Sequence, residues 1–260
     1  MGYCRSHAIP KIASVNLHYG EEPPISGERG SGTIFFSGCN LSCIFCQNYP
    51  ISQLGNGKET NLDSLVDAML RLQKRGAHNI NFVTPSHATV TLEVAIPEAR
   101  KLGLEIPIVY NTSGYDSLQQ LRRLDGLIDI YLSDIRYADH EVAEELSNAR
   151  DYPEVNRVAL IEMQQQVGNL DLDKHGIARR GLVIRHLVFP CGLANTSSAL
   201  DFIANEISPE AHVALMSQYF PAYKAVDSPS LNRKINKEEW VEAVRLFRSS
   251  GLNGWVQKKE

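Results

Sequence analysis

No stretch of this 260-residue sequence approaches the roughly 20 consecutive apolar residues that span a bilayer. An excess of positive charge is missing too. Lys and Arg number 26 against 30 Asp and Glu, a formal net charge of −4, which offers nothing to nucleic acid or to an anionic membrane surface. The opening residues MGYCRSHAIPK lack the apolar stretch of a secretory signal, so a cytoplasmic protein without nucleic-acid or membrane partners is expected. Repeats and low-complexity tracts are also absent. Cysteine is scarce and unevenly placed: there are five, an odd number, and three fall at positions 39, 43 and 46. Such clustering does not suit a disulfide framework and does suit reduced thiolates on a metal.

What is present is an alternation. Short apolar runs occur at TIFFSG (33–38), INFVT (80–84), IPIVYN (106–111), IDIYLSD (128–134), LVIRHLVF (182–189) and HVALM (212–216). They are continuous and not alternating, as expected of parallel strands covered on both faces. Helical patterns fall between and after them, near 62–75, 92–102, 116–125, 139–149, 197–207 and 237–250. Leu62, Leu65, Val66, Met69 and Leu72 repeat at helical spacing between a cap at Thr60 or Asn61 and a stop at Gly76. Asn236 followed by Glu239 reads as a capping box. Six strand-helix units joined by right-handed crossovers make an α/β fold of the type of a partial (β/α)6 TIM-like barrel with parallel strands, short of the eight units that close one. Residues 1–31 form an irregular N-terminal segment, in which His18, Glu21 and Glu22 sit on a loop read as a solvated cover. Residues 32–260 form the core domain with its C-terminal helix. Residues 167–181 break the rhythm as a surface excursion.

The segment SGCNLSCIFCQNYP spaces its cysteines C-x3-C-x2-C on the loop leaving the first strand. A loop of that length can wrap three sulfurs around one centre, whereas a strand would point them to opposite faces. An iron-sulfur cube has four irons, so three cysteines leave one iron open to a small chelating molecule; an electron carrier or a structural zinc site would close four positions. Cys4 or Cys191 is then the candidate fourth ligand, and a non-catalytic iron-sulfur or zinc protein is the alternative reading.

This motif, with Phe45 before the last cysteine, resembles the radical S-adenosylmethionine superfamily. The stretches HYGEEPPISGERGSGTIFFSGCNLSCIFCQNYPISQ and MSQYFPAYKA resemble the group related to the pyruvate formate-lyase activating enzyme. The resemblance implies that Cys39, Cys43 and Cys46 ligate a 4Fe-4S cluster whose open iron takes S-adenosyl-L-methionine. Reductive cleavage would then give a 5'-deoxyadenosyl radical that abstracts hydrogen from a protein glycine or from a small molecule. It implies flavodoxin or ferredoxin as electron donor, with a protein substrate as a second partner. It also places cofactor contacts at the strand ends. Phe45 shields the cluster near adenine; Thr84, Ser86 and His87 stand where much of the superfamily carries a Gly-Gly-Glu-type motif for the cofactor's amino group. Asn111, Thr112 and Ser113 would meet ribose hydroxyls. Asp134 matches the Asp of an Asp-x-Lys pattern in which Arg136 replaces the Lys, and Arg185 matches a basic residue that meets the cofactor carboxylate. Gln218 and Tyr219 close the set.

Each of these side chains also has a plainer reading. Phe45 can pack, His87 can be a loop residue, and Asp134 with Arg185 can be a mutual ion pair, since buried charges are rare unless paired. Cys191 reads as an inert thiol.

Overall fold

The computed structural model describes residues 9–257. The chain runs β1 (Lys11–His18), α1 (Pro23–Ser26), β2 (Ser31–Phe36), α2 (Tyr49–Ser52), β3 (Lys58–Glu59), α3 (Leu62–Lys74), β4 (Ile80–Val83), α4 (Thr89–Lys101), β5 (Ile108–Thr112) and α5 (Leu118–Arg123). It continues with β6 (Ile130–Asp134), α6 (His140–Ser147), α7 (Tyr152–Val167), β7 (Asp171–Leu172), β8 (Ala178–Leu187), α8 (Thr196–Phe202), β9 (His212–Met216), α9 (Lys237–Ser249) and β10 (Asn253–Val256). One sheet holds them in the order β10-β9-β8-β6-β5-β4-β2-β1-β3, with β7 paired to β8 off that path. From β2 to β10 along that order every pairing is parallel. β3 and β10 stand at the two ends of the order, so the sheet curls without closing.

The pleat divides each central strand between two environments. Ile34 and Phe36, Ile80 and Phe82, Ile108 and Tyr110, Leu182 and Ile184, and Val213 and Leu215 belong to one core shared with α3, α4, α7 and α9. Leu65, Met69 and Leu72 of α3 are fully buried there, each contributing about 1.5–3 kcal/mol relative to an exposed side chain. The opposite face is filled in its lower part by Val109, Ile130, Leu132 and Val183 around Ile25 of α1. Its upper part carries Asn111, Asp134 and Arg185 instead, while Asn81 of β4 stands lower, level with Val109.

Three features depart from the sequence expectation. Part of the N-terminal segment is ordered: β1 pairs antiparallel with β2, and α1 inserts the fully buried Ile25 into the barrel interior. The expected irregular segment is therefore a strand and a plug, and Glu21 and Glu22 are brought inside with it. Second, α7 is a 16-residue helix in a stretch with no expected element. Third, β10 adds a seventh parallel strand after the C-terminal helix, so six strands undercount the sheet. The excursion expected over residues 167–181 is shorter, because α7 runs to Val167 and β8 begins at Ala178; within it Asp171 and Leu172 pair with β8. No helix among the described residues is long and apolar enough to cross a membrane.

Candidate functional site

The loop after β2 carries the three cysteines at the C-terminal mouth of the parallel strands, and main-chain hydrogen bonds fasten it there. Ser42 N and Ile44 N donate to Ser147 O and Leu146 O at the end of α6 (3.1 and 2.9 Å), and Ala225 N donates to Ile44 O (2.9 Å). The Asn40 side chain donates to Tyr115 O, and Gln53 donates to Leu41 O. Below the loop lies an aromatic layer in which Phe45 meets Phe189 edge-on with ring centroids 4.7 Å apart, flanked by Tyr137 and Tyr219. Phe45 thus packs in a core, as its plainer reading holds; the Arg136 guanidinium stands 6.0 Å from its ring centre.

Each sulfur has a donor. Arg136 Nη1 donates to Cys43 Sγ (2.9 Å), as does the Ser147 hydroxyl (3.0 Å). Leu41 N–H reaches Cys39 Sγ (3.4 Å), and Ser52 Oγ lies 3.0 Å from Cys46 Sγ. Burial, reinforced by Cys43, pushes the Cys39 thiol up to about 12, and burial likewise raises Cys46. Thiols that are costly to ionise alone become thiolates when a cation shares their site. Among the described residues no three His, Cys, Asp or Glu side chains gather around a single metal ion. Donors aimed at three separated sulfurs, with a guanidinium beside one of them, fit an anionic multi-iron cluster better than a tetrahedral zinc ion, whose sulfurs must all lie about 2.3 Å from one point.

From Cys43 a chain of charge runs into the barrel. Arg136 Nε and Nη2 donate to Asp134 Oδ2 (3.1 and 2.8 Å), and Arg185 Nε donates to Asp134 Oδ1 (2.9 Å). Arg185 Nη2 donates to Asn111 Oδ1 (2.8 Å), and its Nη1 stands 3.5 Å from Glu21 Oε2. Glu21 Oε1 accepts from Asn81 Nδ2 (3.2 Å) and Asn111 Nδ2 (3.3 Å). Burial alone would raise the Asp134 pKa; Arg185 and Arg136 reverse this and hold it below the usual carboxylate range. Asp134 and Arg185 are therefore mutually paired, the plainer of their two readings, yet the pair lies beside Cys43 and not in a remote core.

The backbone at this mouth is pinned from α7. Asn156 Nδ2 donates to Asp134 O (2.9 Å) and Gly114 O (3.2 Å), and the Tyr152 hydroxyl donates to Ser113 O (2.8 Å) while accepting from Arg136 N. Gly114 takes φ +75°, and any Cβ there would run into the Asn156 amide.

The structure thus brings Cys43, Asn111, Asp134 and Arg185 together and sets other candidates apart. Ser86 bonds Thr112, whose hydroxyl donates to the buried Asp116, as does Tyr110. His87 stands edge-on to Phe36 of the outer core, where burial lowers its pKa. Thr84 holds a left-handed backbone at φ +58°, with its N–H bonded to Asn111 O. Ser113 is buried, and its hydroxyl has no partner among the described residues. Tyr219 is buried with its hydroxyl on Leu231 O, and Gln218 is bonded through its backbone to Gln47. Cys191 is exposed, and Cys4 lies outside the described residues. The sequence reading misses Asn81 and puts Glu21 and Glu22 on a solvated cover, whereas both acids are turned inward. Two adjacent acids between Gly20 and Pro23 carry the signature of a solvated turn, and only the insertion of Ile25 turns them inward.

An open, mostly parallel α/β sheet with a three-cysteine loop at its C-terminal mouth defines a partial TIM barrel built for a metal-dependent small-molecule cofactor. The family profile described as the Radical SAM superfamily matches residues 33–168, and this chain belongs to that superfamily. It is also 31% identical to the uncharacterized protein MJ0674 of Methanocaldococcus jannaschii, over 97% of this chain and 71% of that one. Among solved structures it resembles SuiB of Streptococcus suis bound to S-adenosylmethionine, with a TM-score of 0.55 at 14% identity, covering 85% of this chain and 48% of SuiB. It resembles the FeFe-hydrogenase maturase HydG of Carboxydothermus hydrogenoformans with a TM-score of 0.58 at 19% identity, covering 85% of this chain and 52% of HydG. The chain spans about half the length of these two, and the likeness is one of fold. Members of the superfamily use a 4Fe-4S cluster and S-adenosylmethionine.

Proposed function

We propose that this chain is a radical enzyme in which Cys39, Cys43 and Cys46 hold the cluster and the strand ends around Asn111, Ser113, Asp134 and Arg185 receive S-adenosylmethionine. Held by Cys39, Cys43 and Cys46, a 4Fe-4S cluster would supply the electron for reductive cleavage of that cofactor and so the means of abstracting hydrogen from a substrate. The observation that carries the reading is the unbroken ladder from the Cys43 sulfur through Arg136, Asp134 and Arg185 to Asn111, which joins the three-cysteine loop to the barrel interior.

The protein's own part is positioning and exclusion of water. Arg136 donates to the Cys43 sulfur and so offsets the negative charge a cluster would bring. The carboxylate of Asp134, held ionised, fixes both guanidiniums, while α7 fixes the backbone that carries it. The aromatic layer under Phe45 keeps water from the inner side of the cysteine loop. An electron donor of the flavodoxin or ferredoxin class would approach the outer side, where Cys46 is only half-buried. Resemblance to the activating enzymes of pyruvate formate-lyase rests on residues 18–53 and 216–225, and it supports hydrogen abstraction without deciding the substrate.

Anaerobic reconstitution tests the reading. With dithionite, the protein should turn S-adenosylmethionine into 5'-deoxyadenosine and Cys43→Ala should not, and the cofactor should perturb the reduced cluster's electron paramagnetic resonance signal. A protein that takes up zinc alone, or whose cluster ignores the cofactor, refutes it.

A further inference from the structure

The floor beneath this site carries more acid than base. Glu21, Glu22 and Asp134 are three carboxyl groups that share one electrostatic neighbourhood with Arg185, and among the described residues the one other guanidinium in contact with them is that of Arg136, on Asp134. Three against two leaves one carboxylate without a counter-charge when all are ionised. Glu21 and Asp134 make the direct contacts to Arg185 and Arg136, so Glu22 feels Arg185 without an ion-pair contact of its own among the described residues. Its Oε2 is buried and has no hydrogen-bond partner among the described residues. A buried, unpaired carboxylate is one of the costliest groups a fold can keep.

A second observation concerns Asn81, which bonds the neighbouring Glu21. Asn81 is 0% exposed, and its amide nitrogen faces the Glu21 carboxylate, which fixes the orientation of the amide. The Asn81 Oδ1 is thereby turned away from Glu21, and it too has no donor among the described residues. Asn81 Oδ1 is an acceptor, and so is Glu22 Oε2 in its ionised form, which calls for a ligand that brings hydrogens. Asn81 is the second residue of β4, three residues before Thr84 at the strand's mouth, and pairs with Val109 of β5, so its orphaned oxygen sits deeper than the positions read as cofactor contacts.

We propose that Glu22 and Asn81 form an acceptor site on the barrel floor for the protonated amine of a small-molecule substrate. The cation supplies the missing charge, and its N–H groups satisfy Glu22 Oε2 and Asn81 Oδ1 in charge-assisted hydrogen bonds. Burial pushes Glu22 up to about 7 against the pull of Arg185, so at neutral pH the group is poised between its two forms and an arriving ammonium ion draws it to the charged one. The site favours a small molecule over a glycine loop of a partner protein, because a peptide backbone offers no cation.

The inference rests on the functional reading above for the mouth through which the substrate enters, and the test separates the two. Reconstituted holoenzyme with S-adenosylmethionine present is titrated anaerobically by calorimetry with n-butylamine and putrescine at pH 8, and with butyrate as the matched anion. The amines should bind and butyrate should not, and Glu22→Gln should weaken amine binding at least about tenfold, the size of one charge-assisted hydrogen bond. Asn81→Ala should weaken it as well, which keeps the test alive if Glu22→Gln does not fold. Equal binding of butyrate, no binding of either amine, or full amine affinity in both variants overturns the site. Dithionite-driven formation of 5'-deoxyadenosine in the same preparation reports on the functional reading alone: cleavage without amine binding sinks this site only, and amine binding without cleavage sinks only the enzymatic reading.

Discussion

His186 offers a sharp test of how the barrel is held. It lies on the outer face of β8, fully buried, with Nδ1 2.9 Å from Ile135 O and Nε2 3.0 Å from the Thr196 hydroxyl. A carbonyl can only accept, so Nδ1 carries the hydrogen and the neutral ring accepts from Thr196. The ring thus ties β8 to α8 and to the residue between Asp134 and Arg136. Burial lowers its pKa from 6.5 to about 4, against the opposing effects of the Ile135 carbonyl and Asp134. Above pH 6.5 neither the folded nor the unfolded ring is charged and the group adds no pH dependence. As pH falls from 6.5 to about 4 the unfolded chain takes up a proton that the folded one refuses, so stability is lost across that window. At about 1.4 kcal/mol per pH unit the loss comes to about 3 kcal/mol. Anaerobic urea melts of the protein and of His186→Asn between pH 4 and 8 would show it. The variant should lose roughly 1 kcal/mol at pH 8 from its poorer hydrogen bonding, and the gap should close and reverse as the pH falls. Carboxylates common to both proteins cancel in the difference. Parallel profiles across that window would refute the buried neutral ring as the source.

Three further outcomes follow from single contacts. Gly114→Ala forces a side chain into a left-handed position and against Asn156, and should lower the urea stability by about 3 kcal/mol from backbone strain and lost amide bonds, with weaker S-adenosylmethionine binding measured by calorimetry. Arg136→Met removes a charged donor from Cys43 Sγ and should make the cluster harder to reduce, shifting its midpoint to a more negative potential in an electron paramagnetic resonance redox titration; an unchanged midpoint would disconnect Arg136 from the cluster. Asn236→Ala breaks the capping box at the start of α9 and should cost about 1 kcal/mol in the same melts, with 5'-deoxyadenosine formation unaffected.

The repeating part of the barrel is legible in the sequence because its strands are covered on both faces. Their apolar runs stay near-continuous, and INFVT, IDIYLSD and HVALM lie within two residues of β4, β6 and β9. The elements that escape do so for physical reasons. β1 is half-exposed and polar, and β10 is four residues long and contains Gly254. The buried face of α7 includes Asn156 and Glu162, which blurs the apolar stripe that would reveal a helix. Those polar residues are there because the helix supports the loops after β5 and β6, so what hides α7 from the periodicity is also what connects it to the site.

The candidate site shows the same division. The cysteine motif is local, and its chemistry can be read from spacing alone. Asp134 and Arg185 stand out as charges inside apolar strands, but their partnership depends on a parallel register between β6 and β8 that no local pattern encodes. Glu21 and Glu22 depend on more still: a tight turn after β1, the Pro23–Pro24 start of α1, and the burial of Ile25 against the inner faces of β5, β6 and β8. The family resemblance accounts for the cysteines and the strand ends, which the proposed function assigns to the shared cofactor. The groups invisible to local pattern include Asn81, which lies beneath those strand ends, and Glu22, a buried carboxylate with no ion-pair contact among the described residues, so it is with them that the proposed substrate site sets this chain apart.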